Sequence, residues 1–548
     1  MHNIGNEPVT RGTLALTIFR VLALSSRANF YSSKLSMEVE LKLLIDAADV
    51  AAFRHHLLLT HYALSAPRTQ QLTSVYFDTS DLALQRGAAA LRVRRVGRDW
   101  VQTFKAGGRV DAGLHQREEW ETPVAGPALD LAALRALIAP DSEWAALLTD
   151  AGLADKLLPI FTTRFRRRTW MLRSVHGDVV ELALDQGAVH HGERQTPISE
   201  IELELKHGNP AALFELALAL QDTIPLRVGS ISKAERGYAL CAPQPQPPTP
   251  AYARASVLAA DLTADLTVEQ GFQAIVSNCL EQIQANEAGV EHGIDPESVH
   301  QMRVGVRRLR SALAIFDQLI PCPPALKAEL GWLASTLGEA RDWEVLATAT
   351  LSGIPDIDRH ARKLAPLCQA ALQEAQAARR CAAAALDSVR YARLVLALGA
   401  WKLDMPWRDG ATADCAQALS GPLRPFAAGK LARLRHRLYK RGRDLESGAA
   451  PARHRARIAA KKLRYAAEFF QSYFPGKRSR TLLDALAKVQ DVLGRMNDLA
   501  VASRLLRDLA HRRAGLAKEA DFVCDCLDAG GQHDLRKLRK RWRAFVHS

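Results

Sequence analysis

No apolar run in the 548 residues approaches the roughly 20 that a membrane-spanning helix needs, which argues against a membrane-embedded chain. Cysteine is scarce. Eight residues are scattered without a CxxC pair, and the closest two, Cys524 and Cys526, fit no common zinc template. They read as reduced thiols of a cytosolic protein rather than as a disulfide framework. No Gly-rich phosphate loop of the P-loop or kinase type is present, which argues against phosphate recognition by such a loop. Aromatic residues make up 6%, and the remaining composition, 48% hydrophobic and 24% charged, is that of ordinary globular protein.

The charge is unevenly placed. The chain carries a net +14, yet residues 1–250 hold 27 basic and 27 acidic side chains, so residues 251–548 hold the entire excess. A basic half attracts a polyanion: nucleic acid, a membrane surface or a phosphate polymer. The change in charge coincides with a change in texture at Cys241–Tyr252, where Pro243, Pro245, Pro247, Pro248 and Pro250 remove donors and fix φ. Four segments follow: an extension over 1–36, with Met37 a candidate start; a strand-rich domain over 37–240; a Pro-rich linker over 241–257; and a helical domain over 258–545. Thr13–Ser25 is moderately apolar, but Arg20 interrupts it and no secretory cleavage pattern follows.

Eight runs before the linker alternate with period two: Met37–Ile45, Thr73–Asp78, Ala90–Val96, Trp100–Ala106, Gln116–Pro123, Thr163–Leu172, Asp178–Gln186 and Ile198–Lys206. They predict an antiparallel sheet or barrel within an α+β domain, whereas the text after the linker predicts an all-α bundle. In the strands the charges share parity. Glu38, Glu40 and Lys42 alternate with Val39 and Leu41; Glu200, Glu202 and Glu204 alternate with Ile201 and Leu203; Arg92 and Arg94 alternate with Leu91 and Val93. Arg164, Arg166 and Arg168 also share one face. One such strand ordinarily turns its charges to water. Repeated on nearly every strand, with acids clustered on some and bases on others, the pattern instead suits charged faces turned into a closed barrel. Acids there would hold a divalent cation, and guanidinium groups would grip phosphate.

Glu38-Val-Glu40-Leu-Lys42 fits the ExExK signature that opens CYTH (triphosphate tunnel metalloenzyme) domains. The resemblance continues through Leu91-Arg92-Val93-Arg94, Lys105, Arg117-Glu118-Glu119, Arg164 to Arg168, Glu200-Ile-Glu202-Leu-Glu204 and Ser232-Lys233. It implies an eight-stranded antiparallel β-tunnel acting on triphosphates with Mg²⁺, or Mn²⁺ in its place. Glu38, Glu40, Glu200 and Glu202 would be metal ligands. Lys42, Arg92, Arg94 and Lys105 would serve catalysis, and Arg117, Arg164, Arg166 and Lys233 would bind substrate phosphate. Because some members convert ATP to cyclic AMP and others hydrolyse thiamine or nucleoside triphosphates, those activities stand as alternatives to inorganic triphosphatase.

The basic half repeats itself. His300-Gln-Met-Arg303-Val-Gly-Val-Arg307-Arg308-Leu-Arg310 aligns without a gap to His454-Arg-Ala-Arg457-Ile-Ala-Ala-Lys461-Lys462-Leu-Arg464. Each copy is followed about forty residues later by a related segment, Leu337-Gly338 to Asp342 and Leu493-Gly494 to Asp498. On helices, His300, Arg303, Arg307 and Arg310 form one stripe, and His454, Arg457, Lys461 and Arg464 its counterpart. The duplication resembles the CHAD (conserved-histidine α-helical) domain, which implies long-chain polyphosphate binding by these eight residues. The stripes lack interleaved aromatics for base stacking, which argues against specific nucleic-acid recognition. The combined expectation is a cytoplasmic inorganic triphosphatase, associated with polyphosphate granules. A non-catalytic granule adaptor is the alternative from a different class.

Overall fold

The computed structural model describes residues 36–149, 152–242, 247–263, 265–292, 295–354, 357–447 and 449–547. Apart from Ser36, the expected N-terminal extension lies outside them, as do Pro243 and Pro245. Contacts divide the chain into two compact units. One comprises residues up to Val110, Leu114–Asn209 and the chain from Ile231 to the linker; the other comprises Asp111–Gly113, Pro210–Ser230 and the chain after the linker.

All eight predicted strands form, most of them longer than the alternation alone indicated. They are β1 (Ser36–Ile45), β2 (Arg68–Asp78), β3 (Ala89–Val96), β4 (Asp99–Asp111), β5 (Leu114–Val124), β6 (Leu158–Arg173), β7 (Val179–His191) and β8 (Arg194–His207). Their order is β5-β4-β3-β2-β6-β7-β8-β1, and a β1–β5 pairing closes the antiparallel barrel. Closure leaves no free edge and gives each strand an inner and an outer face. On the outer side, Leu91, Phe104 and Trp120 pack against Leu131, Leu134 and Leu148 of the short helices that follow β5.

One end of the bore is apolar. The helix Lys233–Cys241 starts with a capping box between Ser232 and Glu235, which fixes where Lys233 enters. Its Tyr238 joins Leu72, Tyr76, Phe161, Phe165, Val189 and Ile198 in one cluster. The approach is close because residue 237 is glycine: a Cβ there would lie 2.1 Å from the Phe161 ring.

The second unit is helical, as its sequence indicates. Two successive helices, Ile357–Leu386 and Val389–Asp404, are separated where the Ser388 hydroxyl caps the second by accepting from the Tyr391 N–H. The helix Ala211–Gln221 has Phe214 against Gly399 within this unit. The two basic repeats are the helices Pro296–Phe316 and Ala450–Phe469, which pack on each other. All eight cysteines are free thiols. Among the described residues no helix is long and apolar enough to cross a membrane.

Candidate functional site: a charged bore and a basic cavity

Register sets the interior of the barrel. Lys42 on β1 lies opposite Glu202 on β8, and Glu40 opposite Glu204, which in turn faces Glu181 on β7. Asp185 on β7 lies opposite Glu200 on β8 and Arg167 on β6. The four predicted metal ligands all point inward. Glu200 is fully buried, Glu202 nearly so, and the Glu38 and Glu40 side chains are 12% and 14% exposed.

The acids do not gather as a single set of four. Carboxylate oxygens of Asp185, Glu200 and Glu202 lie within 4.8 Å of one another. Repulsion at that separation demands positive charge, and this chain supplies it. The Lys233 ammonium touches all three acids, at 2.7 Å from Asp185 and 2.8 Å from Glu202. Lys42 reaches Glu202 at 2.6 Å and Glu40 at 3.2 Å. Arg167 pairs with Asp185 at 2.6 Å and with Glu202, and Arg236 pairs with Glu200. These cations hold the Glu202 carboxyl well below its usual range against the opposing effect of burial, and they lower Asp185 and Glu200 likewise. Glu204 behaves differently: burial, with Glu181 and Glu38 nearby, raises it to about 7 although Lys206 bonds to it. An all-oxygen donor set of this density fits a hard divalent cation.

The cationic side is formed by β3, β4, β5 and β6. Lys105 bonds Glu38 and lies 3.2 Å from Glu119, while Arg92 lies 3.7 Å from Glu119 and 3.6 Å from Glu121. Arg117 is 3.5 Å from Glu235. Arg94 differs from these: its Nε donates to the Ser74 hydroxyl at 3.0 Å, and among the described residues no carboxylate forms an ion pair with it. Burial, with Arg92 and Arg167 close by, lowers its pKa to about 10. Arg94, Arg167 and Lys233 also stand around one ring, 5.9, 5.7 and 5.0 Å from the Phe165 centroid.

Two expected phosphate ligands lie elsewhere. Arg164 and Arg166 are exposed on the outer face, and the neighbouring position, Arg167, enters the bore. The reason is parity. Trp170 and Leu172, which share parity with Arg164, Arg166 and Arg168, are buried outside the bore, where Trp170 meets Phe53 edge-on. That turns Phe161, Phe165 and Arg167 inward. Lys42, 2% exposed, is enclosed by three glutamates, Glu40, Glu200 and Glu202. Asp185, Arg167 and Arg236 join the carboxylate cluster and are absent from the sequence-derived set.

In the helical unit a cavity of about 190 Å³ is lined by His300, Arg303, Arg307, Arg341, Arg457 and Lys461, with Asp342 and Asp498 among them. Three residues of the expected eight do not line it. His454, Arg310 and Arg464 are exposed, and Arg464 is tied to Glu468 at 2.6 Å. Arg310 and Arg464 stand ten residues, about 15 Å, along their helices from His300 and His454, nearly one turn beyond the last lining residues Arg307 and Lys461. Arg341 joins from the helix Pro324–Glu344, which continues into a π-helix over Val345–Thr350, also on the cavity wall. Arg308 is structural: it donates to Gln282 and Asn278 at 2.8 and 2.9 Å.

Burial first, then Arg307, Arg457 and Arg303, lowers the Lys461 pKa to about 7. Burial and Arg341 lower His300 to about 4, so His300 is neutral near physiological pH. A bound polyanion reverses the local potential and draws a proton onto Lys461. The free amine is already protonated at pH 6 and mostly neutral at pH 8.5. Because the same reversal acts on neutral His300, the Lys461 contribution is read as the difference between the protein and its Lys461→Met variant. Calorimetry in buffers of different ionisation enthalpy, with long-chain polyphosphate as ligand, should find a difference close to one proton at pH 8.5 and almost none at pH 6. An equal difference at both pH values would refute this linkage.

The model of the CYTH domain matches residues 36–238, and that of the CHAD domain matches residues 274–507. An inorganic triphosphatase of Haemophilus influenzae is 31% identical over 204 residues, 37% of this chain and 54% of that protein. The chain thus spans about half the length of that curated relative. An uncharacterized protein of Mycobacterium tuberculosis is 28% identical over 444 residues, covering 73% of this chain and 76% of that protein. Among solved structures, the CHAD domain of the plant Ricinus communis is 43% identical, covers 54% of this chain and 97% of that one, and has a TM-score of 0.48.

Proposed function

Because this chain carries a CYTH domain followed by a CHAD domain, we propose that it hydrolyses inorganic triphosphate to diphosphate and phosphate in its barrel and binds long-chain polyphosphate through its helical half. The observation that carries the hydrolytic reading is the bore's division into a carboxylate cluster and a cationic wall whose Arg94 has no carboxylate partner among the described residues. A small, multiply charged phosphate chain satisfies both sides. Relatedness to an inorganic triphosphatase over the barrel region supports the same substrate class.

Glu38, Glu40, Glu200 and Glu202, with Asp185 beside the last two, would hold Mg²⁺ or Mn²⁺, which when bound supplies charge neutralisation and polarises substrate oxygens. The chain's own residues would do the rest. Arg94, Arg92 and Lys105 bind the phosphoryl oxygens and stabilise the charge that develops as water attacks in line on a terminal phosphorus. Arg167 and Lys233 orient the chain from the Phe165 side, and Arg117 holds its outer phosphate. Lys42 acts through the acids, holding Glu40 and Glu202 in place by its ion pairs. In the helical half, Arg303, Arg307 and Arg457 grip phosphate oxygens through two-point contacts.

The deciding assay offers triphosphate, ATP and thiamine triphosphate to the purified full-length chain with Mg²⁺. Phosphate released chiefly from triphosphate, and abolished by a chelator, is the expected result. Cyclic AMP from ATP would select the cyclase reading, and no turnover of any substrate would leave a polyphosphate-binding adaptor.

A further inference from the structure

The arginines that leave the bore form a feature of their own. Arg164, Arg166 and Arg168 occupy alternate positions of β6 on its outer face, so their Cα atoms repeat at roughly 6.6–6.8 Å. The residues directly across, Thr73, Gln71 and Thr69 on β2 and Ala188, Gln186 and Leu184 on β7, carry no charge. Among the described residues no carboxylate forms an ion pair with any of the three. Sheets ordinarily place opposite charges across from such residues, and like charges left together repel.

A fourth guanidinium adds to the excess. Arg54 donates to the Gln186 side-chain oxygen at 2.6 Å, beside Arg166. Burial, followed by the fields of Arg166 and Arg168, lowers its pKa. Four guanidinium groups therefore share one outer patch in a half of the chain that has no net charge.

We infer that this outer arginine row is a second polyphosphate-binding track, on the opposite face of the barrel wall from the bore. The row is linear and evenly spaced, as suits a flexible phosphate polymer that presents charge continuously along its length. Exposed Arg164 and Arg166 offer open forks for two-point contact with phosphate oxygens. Inorganic polymer is favoured over single-stranded nucleic acid because the row has no open aromatic platform. The nearest ring, Trp170, is covered by Arg168 at 5.1 Å and meets Phe53 edge-on. The inference concerns binding on the outside of the barrel and does not rest on the hydrolytic reading.

The test isolates the row from the helical cavity. Full-length protein carrying R303A and R457A is titrated with polyphosphate of about one hundred units at several salt concentrations. Residual binding is expected. Adding R164Q and R166Q, both at exposed positions, should weaken that residual binding at least ten-fold. The slope of log K against log salt should fall in magnitude by about 1.4, two contacts at roughly 0.7 each. The paired variants R164K and R166K, which keep the charge, should retain most of the affinity, and this separates lost charge from a damaged fold. Three results would overturn the assignment: no residual binding in the R303A/R457A protein, an unchanged affinity and salt slope in the glutamine variants, or tighter binding of a poly(U) strand of equal charge.

Discussion

Replacing Arg94 by alanine is expected to lower kcat/KM for triphosphate by about 10²–10³-fold, the usual cost of removing a preorganised donor aimed at developing charge. The melting temperature should rise at the same time. Arg94 faces the bore beside Arg92 and Arg167 with no carboxylate ion pair among the described residues, and burial, with those two neighbours, depresses its pKa to about 10, so holding it charged there is costly. With some access of solvent, that cost is on the order of 1–3 kcal/mol. Alanine relieves it. The combination is diagnostic, since a residue needed for folding loses activity and stability together. Steady-state kinetics alongside thermal melts reads both quantities. A fall in both, or full activity, would remove Arg94 from the phosphate-binding role.

The paired substitution R303A and R457A is expected to weaken long-chain polyphosphate binding roughly 100-fold or more, on the basis of about 1.5–3 kcal/mol for each charged hydrogen bond lost. Triphosphate hydrolysis should stay within about two-fold. The two arginines come from the two copies of the duplication and line one cavity, where Arg303 lies 3.6 Å from Asp342. Their simultaneous loss therefore removes cationic contacts from both sides. Equal loss of hydrolysis and binding would instead indicate one shared site.

Much of the barrel was legible because most strands announce their inner face. Glu38-Val39-Glu40 and Arg92-Val93-Arg94 alternate charge with aliphatic residues, and the structure keeps that parity. The exception is Arg164-Phe165-Arg166-Arg167-Arg168, where charge occupies both parities and Phe165 misleads. An apolar residue flanked by arginines reads as an outward core residue, yet this bore has an apolar layer of its own and Phe165 belongs to it. The deciding signal was five and seven residues further on, in Trp170 and Leu172.

Asp185 escaped for a related reason. It shares its strand face with Glu181, and only the register opposite Glu200 and Arg167 shows that it joins the carboxylate cluster. In the helical half, the repeat located the cavity. Spacing could not show that Arg341 enters it from a separate helix, nor that His454 faces solvent while His300 lines the wall. Those facts depend on how helices cross.

The apolar cluster around Tyr238 packs side chains into one end of the bore. Under the proposed hydrolysis, a phosphate chain would enter from the opposite end and advance by its tip, and both products would leave past the carboxylates. On that reading a linear chain would be shortened only from a terminus, and a ring of phosphates would have no tip to present.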